Sequence, residues 1–293
     1  MTHDPDASAG EIAKILGIEE LDTDLFRSRP TPGISGRVFG GQVIAQALAA
    51  AAGSVGSGKE GHSLHAYFLR PGDPAFPILY RVARDFDGGS FANRRVVAMQ
   101  GGKAILNLTA SFQRPEGGLS HTTRMPDANA PESSPTMEQV LGQGVDLTDS
   151  MRSRFSAFDL RLGDVQFDPD TGTAVQHGWL RIPETFAGNA TTPRVALAYA
   201  SDFGLISTAM VAHEISFLSP EIQGASLDHA MWFHQTPPTG EWLLYTMTSP
   251  WSGSARGFAH GSIYDRSGTR IASVAQEGLI RHRPRDDTGE SAG

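Results

Sequence analysis

Two stretches of this chain run through the same series of elements, and that duplication constrains the fold more than any other feature. In the first, an apolar helix over Gly41 to Ala52 precedes strand-like runs at His62 to Leu69, Ile78 to Asp85, Ser90 to Gln100 and Ala104 to Gln113. In the second, a strand near Val175 to Ile182 leads to a helix near Asp202 to Glu214. Runs follow at Leu227 to His234, Glu241 to Pro250, Arg256 to Asp265 and Arg270 to Arg281. Apolar and polar residues alternate within each run, and Gly, Asp and Pro punctuate the joins, as expected of half-buried strands. Landmarks keep their spacing: Tyr67-Phe68 and Trp232-Phe233 are 165 apart, Gly88-Gly89-Ser90 and Ser252-Gly253-Ser254 are 164 apart, and Gly102-Lys103-Ala104 and Gly268-Thr269-Arg270 are 166 apart. A near-constant offset over such a span is the mark of an internal repeat.

One packing solution suits a unit of this kind. The antiparallel sheet wraps its apolar helix, and two units joined edge to edge remove exposed strand edges. The expectation is an α+β chain resembling a double hot-dog: two tandem units, each with a central helix wrapped by an antiparallel sheet, the sheets joined into one. The N-terminal unit is expected over 10–114, a linker over 115–150 and the C-terminal unit over 151–285. Arg114 to Pro135 is poor in large apolar residues and rich in Pro, Gly, Ser and Thr, as a linker should be. A short helical stretch near Met137 to Leu141 follows it, and residues 1–9 and 286–293 read as frayed tails.

Composition narrows the function. A net charge of -8 lacks the basic excess of a nucleic-acid binder, so an anionic ligand must be met by a local basic patch. The absence of cysteine excludes disulfide scaffolds, thiolate metal sites and cysteine nucleophiles. The start, Met-Thr-His-Asp-Pro-Asp, has no basic or apolar leader, and the apolar run from Val43 to Ala52 is too short to span a bilayer. A cytoplasmic protein with no membrane partner is expected.

Several near-motifs fail on context. Gly53 to Glu60 nearly spells a phosphate loop, but Glu60 replaces the hydroxyl residue and a helix precedes it, so it reads as a turn. Gly142-Gln143-Gly144 lacks a third glycine and a preceding strand. His229 with His234, and His62 with His65, point to opposite sides of their strands, which suits structural histidines better than a zinc site. No Gly-x-Ser-x-Gly elbow is present. Ser252 to Gly257 reads as a hairpin turn, and Trp232, Trp242, Trp251 and Tyr245 as core or sheet-packing residues.

The remaining motifs carry a resemblance. Arg37 to Leu48 (RVFGGQVIAQAL), Leu227 to His234 (LDHAMWFH), Glu241 to Tyr245 (EWLLY), Ser254 to Phe258 (SARGF) and Ala275 to Arg281 (AQEGLIR) together closely resemble the acyl-CoA thioesterase II family, from about Ile12 to Arg283. The resemblance implies hydrolysis of fatty acyl-CoA to free acid and CoA, without metal or other cofactor, by a homo-oligomer. It also implies a water held by Asp202, Gln276 and the hydroxyl at Ser226, where the family pattern has Thr. Serine keeps the donor and acceptor but loses the methyl that stiffens χ1.

Taken singly, Asp202 fits a helix-start carboxylate, Gln276 a strand residue and Ser226 a turn hydroxyl. Taken together, they are expected to orient a water for attack on a thioester. Asp202 would be ionised at the start of its helix and act by orientation and proton acceptance. At the opening of the first helix, the N–H of Gly41 or Gln42 is expected to receive the thioester oxygen. Arg37, Arg94, Arg95, Lys103 and Arg256 are the basic candidates for the CoA phosphates. Two competing readings are a hot-dog enoyl-CoA hydratase or dehydratase using His229 beside Asp228, and a non-catalytic acyl-CoA binder.

Overall fold

The computed structural model of the chain describes residues 5–31, 36–136, 139–140, 158–168, 170–171, 173–216, 219 and 221–283. Most of the short helix expected at Met137 to Leu141, all of Gly142-Gln143-Gly144 and the C-terminal tail lie outside the described residues. The first unit comprises α1 (Pro5–Leu16), β1 (Ile18–Asp22), β2 (Leu25–Ser28), α2 (Gly40–Gly53), β3 (Glu60–Phe68), β4 (Leu79–Asp87), β5 (Phe91–Gln100) and β6 (Lys103–Gln113). The second comprises β7 (Asp159–Phe167), β8 (Ala174–Arg181), α3 (Thr191–Ala200), α4 (Leu205–Val211), β9 (Ile222–Ser226), β10 (Asp228–Phe233), β11 (Trp242–Gly253), β12 (Arg256–Asp265) and β13 (Arg270–His282).

These strands form one antiparallel sheet in the order β1-β2-β4-β5-β6-β3-β10-β13-β12-β11-β8-β7, with β9 added to the end of β13. Read outward from its middle, the order repeats: β3, β6, β5, β4 on one side match β10, β13, β12, β11 on the other. The units meet where β3 pairs with β10, Tyr67 opposite Asp228 and Ser63 opposite Trp232. Edge joining of the two sheets is therefore realised as the repeat implied.

Helix α2 is apolar on every side because it is enclosed on every side. Gly41 to Leu48, Ala50 and Ala51 are all buried. Its alanines let α3 approach closely, and Ala196, Leu197, Ala198 and Ala200 of α3 are fully buried. An added Cβ at Gly41 would lie 2.3 Å from the Tyr199 carbonyl oxygen, so only glycine allows this spacing. Arg114 to Ala130 contains no helix or strand, yet it is tied to the second unit. Trp179 Nε1 donates to the Asn129 carbonyl at 2.8 Å, and Arg266 pairs with Glu132 at 2.8 Å.

Three expectations are corrected. The second helix is not continuous from Asp202: α3 ends at Ala200, a turn follows, and α4 begins at Leu205. Gly204 causes the break, with φ +91° and no room for a Cβ, which would meet Met247 Sδ at 2.9 Å. The N-terminal tail is helical from Pro5, because Ile12, Ile15 and Leu16 form one buried stripe. The Ile15 carbonyl also accepts from Gln46 Nε2 at 2.6 Å. Trp232 and Trp251 are partly exposed on the sheet surface and are not core residues, whereas Tyr245 is buried.

Candidate active site

The turn between α3 and α4 delivers Asp202 to the start of α2. The Gly41 N–H donates to Asp202 Oδ2 at 2.8 Å. Two glycines make the approach feasible, since a Cβ at Gly40 would lie 2.7 Å from that same oxygen. The dipole argument for Asp202 thus holds with a different helix. Its own helix α3 has just ended, where the macrodipole is negative; the positive end that faces it belongs to α2, in the other unit.

Gln276 reaches the carboxylate from β13. It is 2% exposed, and its Nε2 donates to Asp202 Oδ1 at 2.6 Å. Strand register brings the hydroxyl to the same place. β9 pairs with β13 so that Ser226 stands opposite Gly278, two residues along from Gln276. Ser226 Oγ lies 3.4 Å from Asp202 Oδ1 and donates to it. The hydroxyl on β9 and the amide on β13 are therefore both within hydrogen-bond reach of the Asp202 carboxylate. Its side chain is 5% exposed, and a buried carboxylate persists only with donors of this kind.

Behind the carboxylate is a layer that the hydrolytic reading of the sequence left out, His229 having entered only as the base of the competing hydratase. His229, on β10, is fully buried. Its Nδ1 accepts the second Gln276 Nε2 proton at 3.2 Å, and its Nε2 lies 2.9 Å from Ser201 Oγ. Ser201 Oγ donates to the Ala198 carbonyl, and the Tyr245 hydroxyl donates to the Ser201 carbonyl, both at 2.9 Å. Burial pushes the His229 imidazole down to about 3, so it is neutral. Burial first, and then the charge of Asp202, push the Tyr245 phenol well above its usual range. Asp228, raised by burial, accepts from the Glu277 N–H at 2.7 Å. The available signals were Ser201 next to Asp202 and His229 in the Leu227-Asp228-His229 motif; neither reveals a contact across the sheet.

One buried polar atom in the cluster is left over. Gln276 Oε1 is enclosed and has no hydrogen-bond partner. A buried carbonyl oxygen without a donor costs about 1–3 kcal/mol, so this atom asks for one.

Two further expectations change. The Gly41 N–H faces Asp202, and the Gln42 N–H donates to the Phe39 carbonyl at 3.1 Å, so neither is a free donor for a thioester oxygen. Arg94 does not face a ligand either. It is 1% exposed, with Nε on Ser54 Oγ at 2.9 Å, Nη2 on Asp87 at 2.6 Å and Nη1 on the Phe86 and Asn93 carbonyls. It locks the end of α2 to the sheet. Arg95 pairs with Asp85 at 3.2 Å on the exposed face. Arg256 lies 3.3 Å from Glu277 and against the ring of Trp251. Arg37 and Lys103 are exposed.

Two family models cover the chain: one described as "Acyl-CoA thioesterase" over residues 154–279 and one as "Acyl-CoA thioesterase N-terminal domain" over residues 27–113. A relative called acyl-coenzyme A thioesterase 8, from Rattus norvegicus, is 37% identical, covering 94% of this chain and 90% of its own length. The chain belongs to the acyl-CoA thioesterase II family. Its members are thioester hydrolases. A solved acyl-CoA thioesterase II from Mycobacterium marinum superposes with a TM-score of 0.78 at 36% identity, over 93% of this chain and 98% of that one. A hot-dog protein of unknown function from Alicyclobacillus acidocaldarius superposes at 0.75 with 18% identity, over 93% and 98%, which speaks for the fold alone.

Proposed function

We propose that the protein hydrolyses fatty acyl-CoA to free fatty acid and CoA with a water held by Asp202, Ser226 and Gln276. The observation that carries this reading is the unpartnered Gln276 Oε1 beside a buried carboxylate. A water seated there gives one hydrogen bond to Oε1 and one to Asp202, leaving an oxygen lone pair for the thioester carbonyl carbon. As the water oxygen bonds to carbon, Asp202 takes its proton. Collapse of the tetrahedral adduct breaks the carbon–sulfur bond, and the proton passes to the departing thiolate. Ser226, at the longest distance from Asp202, has a hydroxyl able to turn toward the water or the acyl oxygen. Arg95 and Arg256 remain the proposed contacts of the CoA phosphates. The reading also takes 10–114 and 151–285 as the two units of a cytoplasmic homo-oligomer. Among the described residues, no helix is long and apolar enough to cross a membrane.

A hydratase using His229 as base is disfavoured by burial, since both ring nitrogens are engaged inside the protein. The deciding assay is thiol release from a panel of acyl-CoA substrates. The wild type should release free CoA, and Asp202→Asn should reduce kcat by about 100- to 10,000-fold with the fold intact. A wild type that binds acyl-CoA without releasing thiol is a binder. One that adds water across an enoyl-CoA without releasing thiol is a hydratase.

A further inference from the structure

The Gln276 amide can be oriented in only one way. Its terminal atom 2.6 Å from Asp202 Oδ1 is the nitrogen if Asp202 is the ionised base proposed above, because such a carboxylate has no proton to offer a carbonyl oxygen. That leaves a second amide proton, aimed at His229 Nδ1 at 3.2 Å. For Nδ1 to accept, the ring proton must sit on Nε2. The neighbour of Nε2 suits this, because Ser201 Oγ has the Ala198 carbonyl as its own acceptor and can take the Nε2 proton at 2.9 Å. Ser201 is itself fully buried between His229 and α3, and Tyr245 fixes its carbonyl. The donations therefore diverge from the Gln276 amide: one goes to the Asp202 carboxylate, the other passes through His229 and Ser201 to the Ala198 carbonyl on α3.

We propose that His229 is a positioning residue for hydrolysis: held as the Nε2–H tautomer by Ser201, it accepts from Gln276 Nε2 and so keeps Gln276 Oε1 turned to the attacking water. The inference rests on the proposed hydrolytic role of Asp202 and Gln276. His229 touches neither water nor substrate. It acts through Gln276, and it lies 3.9 Å from Asp202 Oδ1, beyond hydrogen-bond distance. With Nδ1 removed, the amide loses one of its two anchors and Oε1 is free to swing away from the water. An ångström of misplacement costs up to about a hundredfold in rate.

The test is a double-mutant cycle read by thiol release with steady-state kcat and KM. His229→Leu removes the acceptor and should lower kcat about tenfold to a hundredfold, with KM within about threefold. His229→Asn places a carbonyl oxygen near the Nδ1 position and should recover most of the lost kcat. If His229 works through Gln276, then His229→Leu with Gln276→Ala is no slower than Gln276→Ala alone. Losses that multiply in the double variant, or a His229→Leu enzyme at wild-type kcat, overturn the proposal. If His229→Leu does not fold, Ser201→Ala carries the same cycle, because it frees Nε2–H from its acceptor and unlocks the tautomer. It should lower kcat at least threefold, again with no added effect beside Gln276→Ala. Asp202→Asn is run in parallel. Full activity in that variant defeats the hydrolytic reading itself, whereas a dead Asp202→Asn beside an unaffected His229→Leu defeats only the role of His229.

Discussion

Replacing Gly41 by alanine sets two opposed effects against each other at the site. Alanine inside a helix is favoured over glycine by about 0.5–1 kcal/mol, and Gly41 has no left-handed φ to protect. Against that, its Cβ would stand 2.3 Å from the Tyr199 carbonyl oxygen and 2.6 Å from Phe39 Cε1. The first obstacle is main chain in the last turn of the buried helix α3, so it does not swing aside as a side chain would, and the upper end of the overpacking range of about 1–3 kcal/mol applies. The balance is a net loss of about 2 kcal/mol, or roughly 4–8 °C in Tm. The relief available is for α2 and α3 to separate, and that motion stretches the 2.8 Å bond from Gly41 N–H to Asp202. Activity should therefore fall with stability, by about tenfold or more in kcat. Calorimetry and thiol release measure the two effects on one preparation. Gly56→Ala, where nothing lies within 4 Å of the new Cβ, is the control and should change neither. A Gly41→Ala protein with raised Tm and unaltered kcat would refute both the close approach and the coupling of helix spacing to the carboxylate.

Arg94→Ala should lower stability by about 1–3 kcal/mol, because it strands the buried Ser54 carbonyl oxygen and breaks the tie from Asp87 to the end of α2, while KM for acyl-CoA stays put in the steady-state assay. Arg256→Ala should do the reverse, raising KM several-fold with Tm within a degree or two; swapped outcomes would return Arg94 to the ligand. Acidification should destabilise the protein from about pH 6.5 downward. An unfolded histidine binds a proton near that pH, whereas native His229, held at about 3, does not. The stability it contributes is complete above pH 6.5 and is lost at up to about 1.4 kcal/mol per pH unit as pH falls toward 3. His62, His177, His234 and His260, all lowered by burial, act in the same sense, and Asp228, raised by burial, opposes them in the carboxylate range. Urea unfolding between pH 4 and 6.5 should show a shallower slope for His229→Asn than for wild type, and identical slopes would count against the buried neutral ring.

What the sequence made legible was whatever depends on period and on local turn chemistry. The eight strands of the repeat read by alternation lie where expected, because a side chain on a two-sided sheet must choose a face every second residue. The hairpin at Ser254-Ala255 was legible as a turn, and both residues take positive φ without a glycine between them. Period fails where a single residue overrides it. The helix read from Asp202 starts only at Leu205, after Gly204 at φ +91°, and the helix at Thr191–Ala200 that precedes the turn was not read at all. Strand β9 escaped because five residues with two glycine-or-alanine positions carry little alternation, and its pairing with β13 supplies the definition. Arg94 illustrates the limit for charge. A basic residue on a strand reads as a solvated face, and nothing local tells that this one is buried against Ser54 at the end of α2.

The duplication explains why one unit holds the cluster. At the landmark offsets of 165 and 166, His229 and Gln276 correspond to Leu64 and Ala110 of the first unit, and those two stand opposite each other on β3 and β6. Both are fully buried apolar residues. Where the second unit places an imidazole against an amide, the first places a leucine against an alanine. Here the first unit keeps the helix start, with Gly40 and Gly41 bare enough to admit Asp202, and fills the rest of its own pocket with hydrocarbon. The second unit keeps the polar layer and breaks its helix at Gly204 to deliver the carboxylate. Each half is incomplete: the N–H at the start of α2 has its charge partner only in the other unit, and the carboxylate in the turn after α3 has its helix dipole only in the first. That mutual dependence ties the chemistry to the packing of α2 against α3, since the 2.8 Å bond from Gly41 to Asp202 crosses between the units.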